Sequence, residues 1–225
     1  MRRKAIVARV LRGGEQPGEA YPSTARFVRL SRAASDADHT TLFRLVAHDQ
    51  AARESLSRQA KQLFGPNLDP LASAILDGVI AREAVEADAA SRAWLRAAVA
   101  HRGWFRIPSD GEDADLAAWL IVQHGDADRA FQEAMIRLLA PLAAAGETSA
   151  LRFAFLYDRW AAGAGQPQRY GLQGRCVAAG VWRPLPIAEP DTLEARRRAA
   201  GFAETFDQFV AKERKACPAA SPAGP

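Results

Sequence analysis

Between Leu116 and Val122 the chain runs Leu-Ala-Ala-Trp-Leu-Ile-Val, apolar on almost every side of a helix. A helix of that kind has no face to give to water, so the rest of the fold must surround it. It stops at Gln123-His124-Gly125, where the glycine suits a left-handed C-cap and Asp126 can open the next helix.

The flanking stretches supply that surround. Leu42, Leu45, Val46 and Asp49 follow one helical face, with Asp38 or Thr40 as cap, in a stretch that Gly65-Pro66 stops after Phe64. Asp69 and Pro70 open a second stretch striped by Leu71, Ile75, Leu76, Val79 and Ile80. Arg92–His101 carries Trp94, Leu95, Ala98 and Val99, and Gly103 ends it. Downstream, Phe131, Met135, Leu138, Leu139 and Leu142 form a further stripe. Ser149 opens a helix through Leu151 and Phe155, and Asp191 opens a last region, Leu193–Phe209, interrupted at Gly201. Only Tyr170–Val177 and Val181–Pro186, about Ala179-Gly180, carry a hairpin pattern. The expected fold is all-α, about six or seven helices with one short hairpin near 170–186.

Residues 1–35 hold eight of the 30 basic residues against two of the 26 acidic ones, so the arm is basic and the remainder slightly acidic. Gly13-Gly14, Pro17-Gly18 and Pro22-Ser23 break this arm, which reads as disordered. Residues 36–215 read as a single helical domain and 216–225 as a disordered tail. With its charge confined to the arm, the chain is not expected to bind nucleic acid, and the arm is the place for a protein partner. No apolar run reaches the length of a spanning helix, so no membrane partner is expected. Cys176 and Cys217 stand apart without metal-ligand spacing, which argues against a zinc module and a disulfide framework and places the chain in a reducing cytoplasm.

The sequence contains no phosphate-binding glycine loop, dinucleotide fingerprint, zinc-binding helix motif or nucleophile elbow. No cofactor is therefore expected. Polar residues where the apolar pattern demands burial are the remaining signal, because a buried polar group without a partner is costly. His124 extends the face of Ala117, Leu120 and Ile121, as a general base or as a helix-end histidine bonded to carbonyls. His101 stands in the same position before Gly103. Asp158 shares a face with Leu151 and Phe155, where it either orients a histidine or pairs with Arg159 to hold helices together. Gln168, Tyr170 and Gln173 suit a polar ligand or the needs of their own loop. Asp49, Gln50 and Arg53 form a half-buried polar patch of structural type, and Asp126 and Asp128 are capping residues.

His101-Arg102-Gly103-Trp104, Gln123-His124-Gly125-Asp126, Tyr157-Asp158-Arg159, Gln168-Arg169-Tyr170-Gly171-Leu172-Gln173 and Arg197-Arg198-Ala199-Ala200-Gly201 occur in that order. With Asp49-Gln50-Ala51-Ala52-Arg53 ahead of them, this set resembles an uncharacterised bacterial family of unknown function, over about residues 40–210. Leu172 departs from the family's usual threonine and Gly125 from its usual alanine. The resemblance implies a shared pocket of His101, Gln123, His124, Asp126, Asp158, Arg159, Gln168, Tyr170 and Gln173, and carries no activity with it.

The expected function is a hydrolase-like acid–base enzyme acting on a polar or anionic small molecule or peptide. In it His124 or His101 is the base, Asp158 the orienting carboxylate and Arg159 an anion clamp, with Gln123, Asp126, Gln168, Tyr170 and Gln173 lining the ligand. A non-catalytic peptide- or protein-binding module is the alternative. A metal held by His101, His124 and a carboxylate is a third arrangement, and the expectation without it is a metal-free site.

Overall fold

The computed structural model describes residues 22–64 and 88–217, which are mainly helical with one two-stranded antiparallel sheet. They belong to two compact units divided between Ala127 and Asp128, where the sequence reads as one domain over 36–215. The helix expected after Asp69 and the tail beyond Cys217 lie outside the described residues.

In the first unit, α1 (Pro22–Ala33) packs along α2 (Ala37–Phe64). This corrects the expectation of a disordered arm for residues 22–33. Pro22 stands at the first position of the helix, where a missing N–H costs nothing, and so begins the helix that it was expected to break. Thr24 and Phe27 are three apart on the buried face, and the Phe27 ring stacks 6.3 Å from that of Phe43. Asp36 holds the start of α2, accepting from the His39 N–H at 2.9 Å, so the cap falls two residues before Asp38. α3 covers 88–102, followed by the single turn α4 (Ile107–Asp110) and by α5 (Glu112–Gln123).

α5 is the helix read as apolar all round. It packs against α2 and buries Ala114, Ala117, Ala118, Ile121 and Val122, while Leu116, Trp119 and Leu120 stay half-buried. Its one fully buried charge, Asp115, accepts from the Trp104 indole N–H at 2.7 Å. The cap at its end differs from the expected one. His124 itself is the C-cap, with φ −89°, and Gly125 has no positive φ.

The second unit comprises α6 (Arg129–Ala144), α7 (Ala150–Gly163), β1 (Gly174–Ala178), β2 (Val181–Pro184), α8 (Leu193–Ala199) and α9 (Phe206–Ala216). Asp128, not Asp126, caps α6, accepting from Phe131 N–H at 2.9 Å, and Ser149 caps α7 as its position implies. The hairpin turns at Ala179-Gly180, where Gly180 takes φ +63°. β1 starts four residues later than Tyr170, because the N–H groups of 169, 170 and 172 go to Asp158 instead of a strand partner.

Cys176 and Cys217 form a disulfide across a separation of 41 residues, with Cα atoms 5.5 Å apart. This corrects the reading of two unpaired thiols. The spacing carried no sign of it, because β2 and α9 fold back to bring the two residues together. Disulfides persist in oxidising compartments, so the cysteines no longer argue for the cytoplasm. The bond staples α9 to the hairpin, where Trp182 meets Phe209 edge-on at 5.6 Å and Cys217 is buried in the same apolar cluster. Cys176→Ser with Cys217→Ser is expected to lower stability by about 3 kcal/mol. Urea unfolding of oxidised and double-mutant protein checks it, and coincident curves would show that packing alone holds α9.

Candidate functional site

Leu42, Val46, Asp49 and Arg53 lie four, three and four residues apart, so one face of α2 passes from buried apolar residues to a buried carboxylate and a half-buried guanidinium. Asp49 is 5% exposed. Its Oδ2 meets Nδ1 of His124 at 2.9 Å and accepts from the Gln50 amide at 3.0 Å, and its Oδ1 accepts from Nε of Arg53 at 2.7 Å. The Arg53 Nη2 reaches both oxygens of Asp88, at 2.9 and 3.1 Å. Two helices, α2 and α3, and the end of α5 thereby converge on one chain of charges, His124–Asp49–Arg53–Asp88.

The two carboxylates share one guanidinium, and they divide its benefit unequally. Burial works to raise Asp49, but His124 and Arg53 outweigh it and hold the carboxyl down at about 2. Burial raises Asp88 to about 6 against the pull of Arg53, with the neighbouring Asp49 charge adding to the rise. At neutral pH the site thus has one firmly ionised carboxylate beside the imidazole and one carboxyl that exchanges its proton readily. The ligating atoms of Asp49, Asp88 and His124 lie within 4.8 Å of one another, close enough to hold a divalent cation. Arg53 already places a positive charge between the two carboxylates.

Of the residues singled out from sequence, His124 and the polar patch of Asp49, Gln50 and Arg53 make up this site, and Gln123 precedes His124 in the chain. Gln123 is the last residue of α5, half-buried, and its Oε1 is buried without a hydrogen-bond partner. His101 is exposed near the end of α3 and is not part of the cluster, and Asp126 is exposed in the turn after α5. The rest lie in the second unit. Asp158 is fully buried on α7 and accepts from Arg169 N–H at 2.7 Å, Tyr170 N–H at 3.1 Å and Leu172 N–H at 3.0 Å. It organises a loop, which neither expected role for it included. Arg159 follows it on α7, half-buried. Gln168, also fully buried, acts as a backbone clamp. Its amide donates to the Gln173 and Leu185 carbonyls at 2.8 and 2.9 Å, and its Oε1 accepts from Gln173 N–H at 2.7 Å. Tyr170 places its ring among Tyr157 and Phe202. The loop's own needs account for Gln168 and for the backbone of Gln173.

Asp88 and Arg92 escaped the sequence reading. The signal was present: Asp88, Ser91, Arg92 and Leu95 recur at helical spacing, and all four are buried, so the apolar stripe of α3 begins with polar residues. A cavity of about 470 Å³ elsewhere in this unit is lined by Arg26, Asp36, His39, Asp110 and Asp113, among others. These are already paired, His39 with Asp36 at 2.7 Å and Arg26 with Asp113.

The fold and the site define a mainly helical protein whose first unit carries a partly buried His–Asp–Arg–Asp cluster. By the match of a family model over residues 47–213, the chain belongs to DUF6624, a family of unknown function. No curated protein and no solved structure matches it. Among the described residues, no helix is long and apolar enough to cross a membrane.

Proposed function

We propose that the protein is a hydrolase-like acid–base enzyme acting on a polar or anionic small molecule or peptide, with His124 as general base. The contact between His124 Nδ1 and Asp49 at 2.9 Å carries this reading. A nitrogen facing an ionised carboxylate carries the ring proton, which leaves the Nε2 lone pair to accept a proton from an attacking water. Asp49 then stabilises the imidazolium that forms. Arg53 and Gln50 grip the same carboxylate and keep it in register, so that Asp49 takes the part of orienting carboxylate expected of Asp158. The test uses a panel of nitrophenyl esters, nitrophenyl phosphates and chromogenic dipeptides. His124→Ala is expected to lower kcat about 100-fold or more with unchanged circular dichroism. Turnover equal to wild type would overturn the assignment. A wild-type protein inert on the whole panel that retains a peptide from a library would favour the binding module.

A second reading follows from the 4.8 Å grouping of Asp49, Asp88 and His124 as ligands to a divalent cation. Calorimetric titration with Zn²⁺ or Mn²⁺ separates the two. Stoichiometric binding that Asp88→Asn abolishes would replace the hydrogen-bonded pair by a metal centre.

A further inference from the structure

Arg92 is a buried cation whose position the acid–base reading leaves unused. It is 9% exposed, and its Nη1 is buried with no hydrogen-bond partner. A guanidinium N–H left in that state is destabilising, and more so than a neutral donor because the group is charged. A chain keeps such a group where something else satisfies it. Asp88, Ser91, Arg92 and Leu95 make one buried stripe, so Arg92 lies on the α3 face that delivers Asp88 to the site. Arg92 stands one helical turn from Asp88 on that face. Both oxygens of Asp88 are engaged by Arg53.

Gln123 supplies an independent observation of opposite polarity. Its Oε1 is a buried acceptor without a donor, one residue before His124. One turn from Asp88 there is thus a buried donor that asks for an acceptor, and one residue from His124 a buried acceptor that asks for a donor. Charge decides the nature of the first. Arg53 and Arg92 together balance Asp49 and Asp88, so an incoming anion meets no net negative field. The planar fork of arginine matches the oxygen spacing of a carboxylate or phosphate.

We infer that Arg92 is the anion-binding residue of the His124 site, and that the substrate carries an oxyanion beside a hydroxyl or amide that donates to Gln123. This rests on the reading of the His124 cluster as the active site, and it names the substrate class there. His124 handles the proton, and Arg92 positions the molecule.

The test follows thermal unfolding of the full chain in rising inorganic phosphate, and separately in rising acetate, each against chloride at equal ionic strength. Wild type is expected to gain stability beyond the chloride control, with phosphate favoured if the oxyanion is a phosphoryl group and acetate if it is a carboxylate. Arg92→Met is expected to unfold at a higher temperature than wild type without anion, since a buried N–H without a partner is gone, and to bind the preferred anion about tenfold more weakly or less. Arg92→Lys keeps the charge without the fork, and an intermediate response is expected should Arg92→Met fail to fold. His124→Ala is expected to respond as wild type does, so loss of turnover and loss of anion binding are read separately. A wild type indifferent to both anions, or an Arg92 variant with an undiminished response, would overturn the inference.

Discussion

Asp158→Ala is expected to destabilise the protein by about 4 kcal/mol or more, as one of the largest effects a single substitution can have here. The side chain is fully buried, and its two oxygens accept from the N–H groups of Arg169, Tyr170 and Leu172. Truncation would strand these donors, two of them on buried residues, without water to replace the carboxylate. The damage would spread. Arg197, 1% exposed, donates to the Tyr170 carbonyl at 2.8 Å and lies 4.4 Å from the centre of the Phe202 ring, so the loop also seats α8. Asp158→Asn keeps one acceptor oxygen but turns an NH₂ toward donors, and an intermediate loss is expected. Urea unfolding followed by circular dichroism and by tryptophan emission checks the pair. Wild-type stability in Asp158→Ala would return this residue to the catalytic candidates.

Arg53→Met is expected to cost about 3 to 5 kcal/mol near pH 7.5, because it removes the cation that two buried carboxylates share. The pH dependence identifies the cause. Asp49 titrates near 2, below its ordinary value of 3.8, so its stabilising contribution is present above that value and is lost as pH falls toward 2. Asp88 titrates near 6, above its ordinary value, so its contribution is complete below 3.8 and disappears as pH rises through 6. Wild-type stability from this site is therefore highest near pH 4 and declines toward neutrality. Without Arg53 both carboxylates resist ionisation more strongly and the decline steepens. The deficit of the variant is expected to be smaller at pH 4 than at pH 7.5. A deficit independent of pH would attribute it to lost packing of the arginine stem instead.

Much of the fold is legible residue by residue, since helix boundaries are local events. Ser149, Gly103 and the turn at Ala179-Gly180 act where the chain places them, and the stripe of Phe131, Met135 and Leu139 is buried as its spacing requires. Pro22 shows the limit of local reading. The same residue interrupts a loop or opens a helix, and only the stripe that follows, seated on α2, decides between them. The hairpin's late start has a similar origin, because a carboxylate on α7 takes the hydrogen bonds that a strand partner would have made.

Asp49, His124 and Asp158 carried the same sign in the sequence, a polar group at a position that burial demands. The sequence by itself determined that the chain is mainly helical, where several of the described helices begin or end, and that Asp49, His124 and Asp158 stand at positions that call for burial, because period, caps and breakers act over a few residues. Only the tertiary structure decided what those side chains meet. His124 finds Asp49 across 75 residues and Arg53 finds Asp88 across 35, while Asp158 spends itself on backbone N–H groups and Cys176 bonds to Cys217. Burial can be read from a helix's own periodicity, whereas the partner of a buried charge depends on which helices pack together, and no local pattern records that.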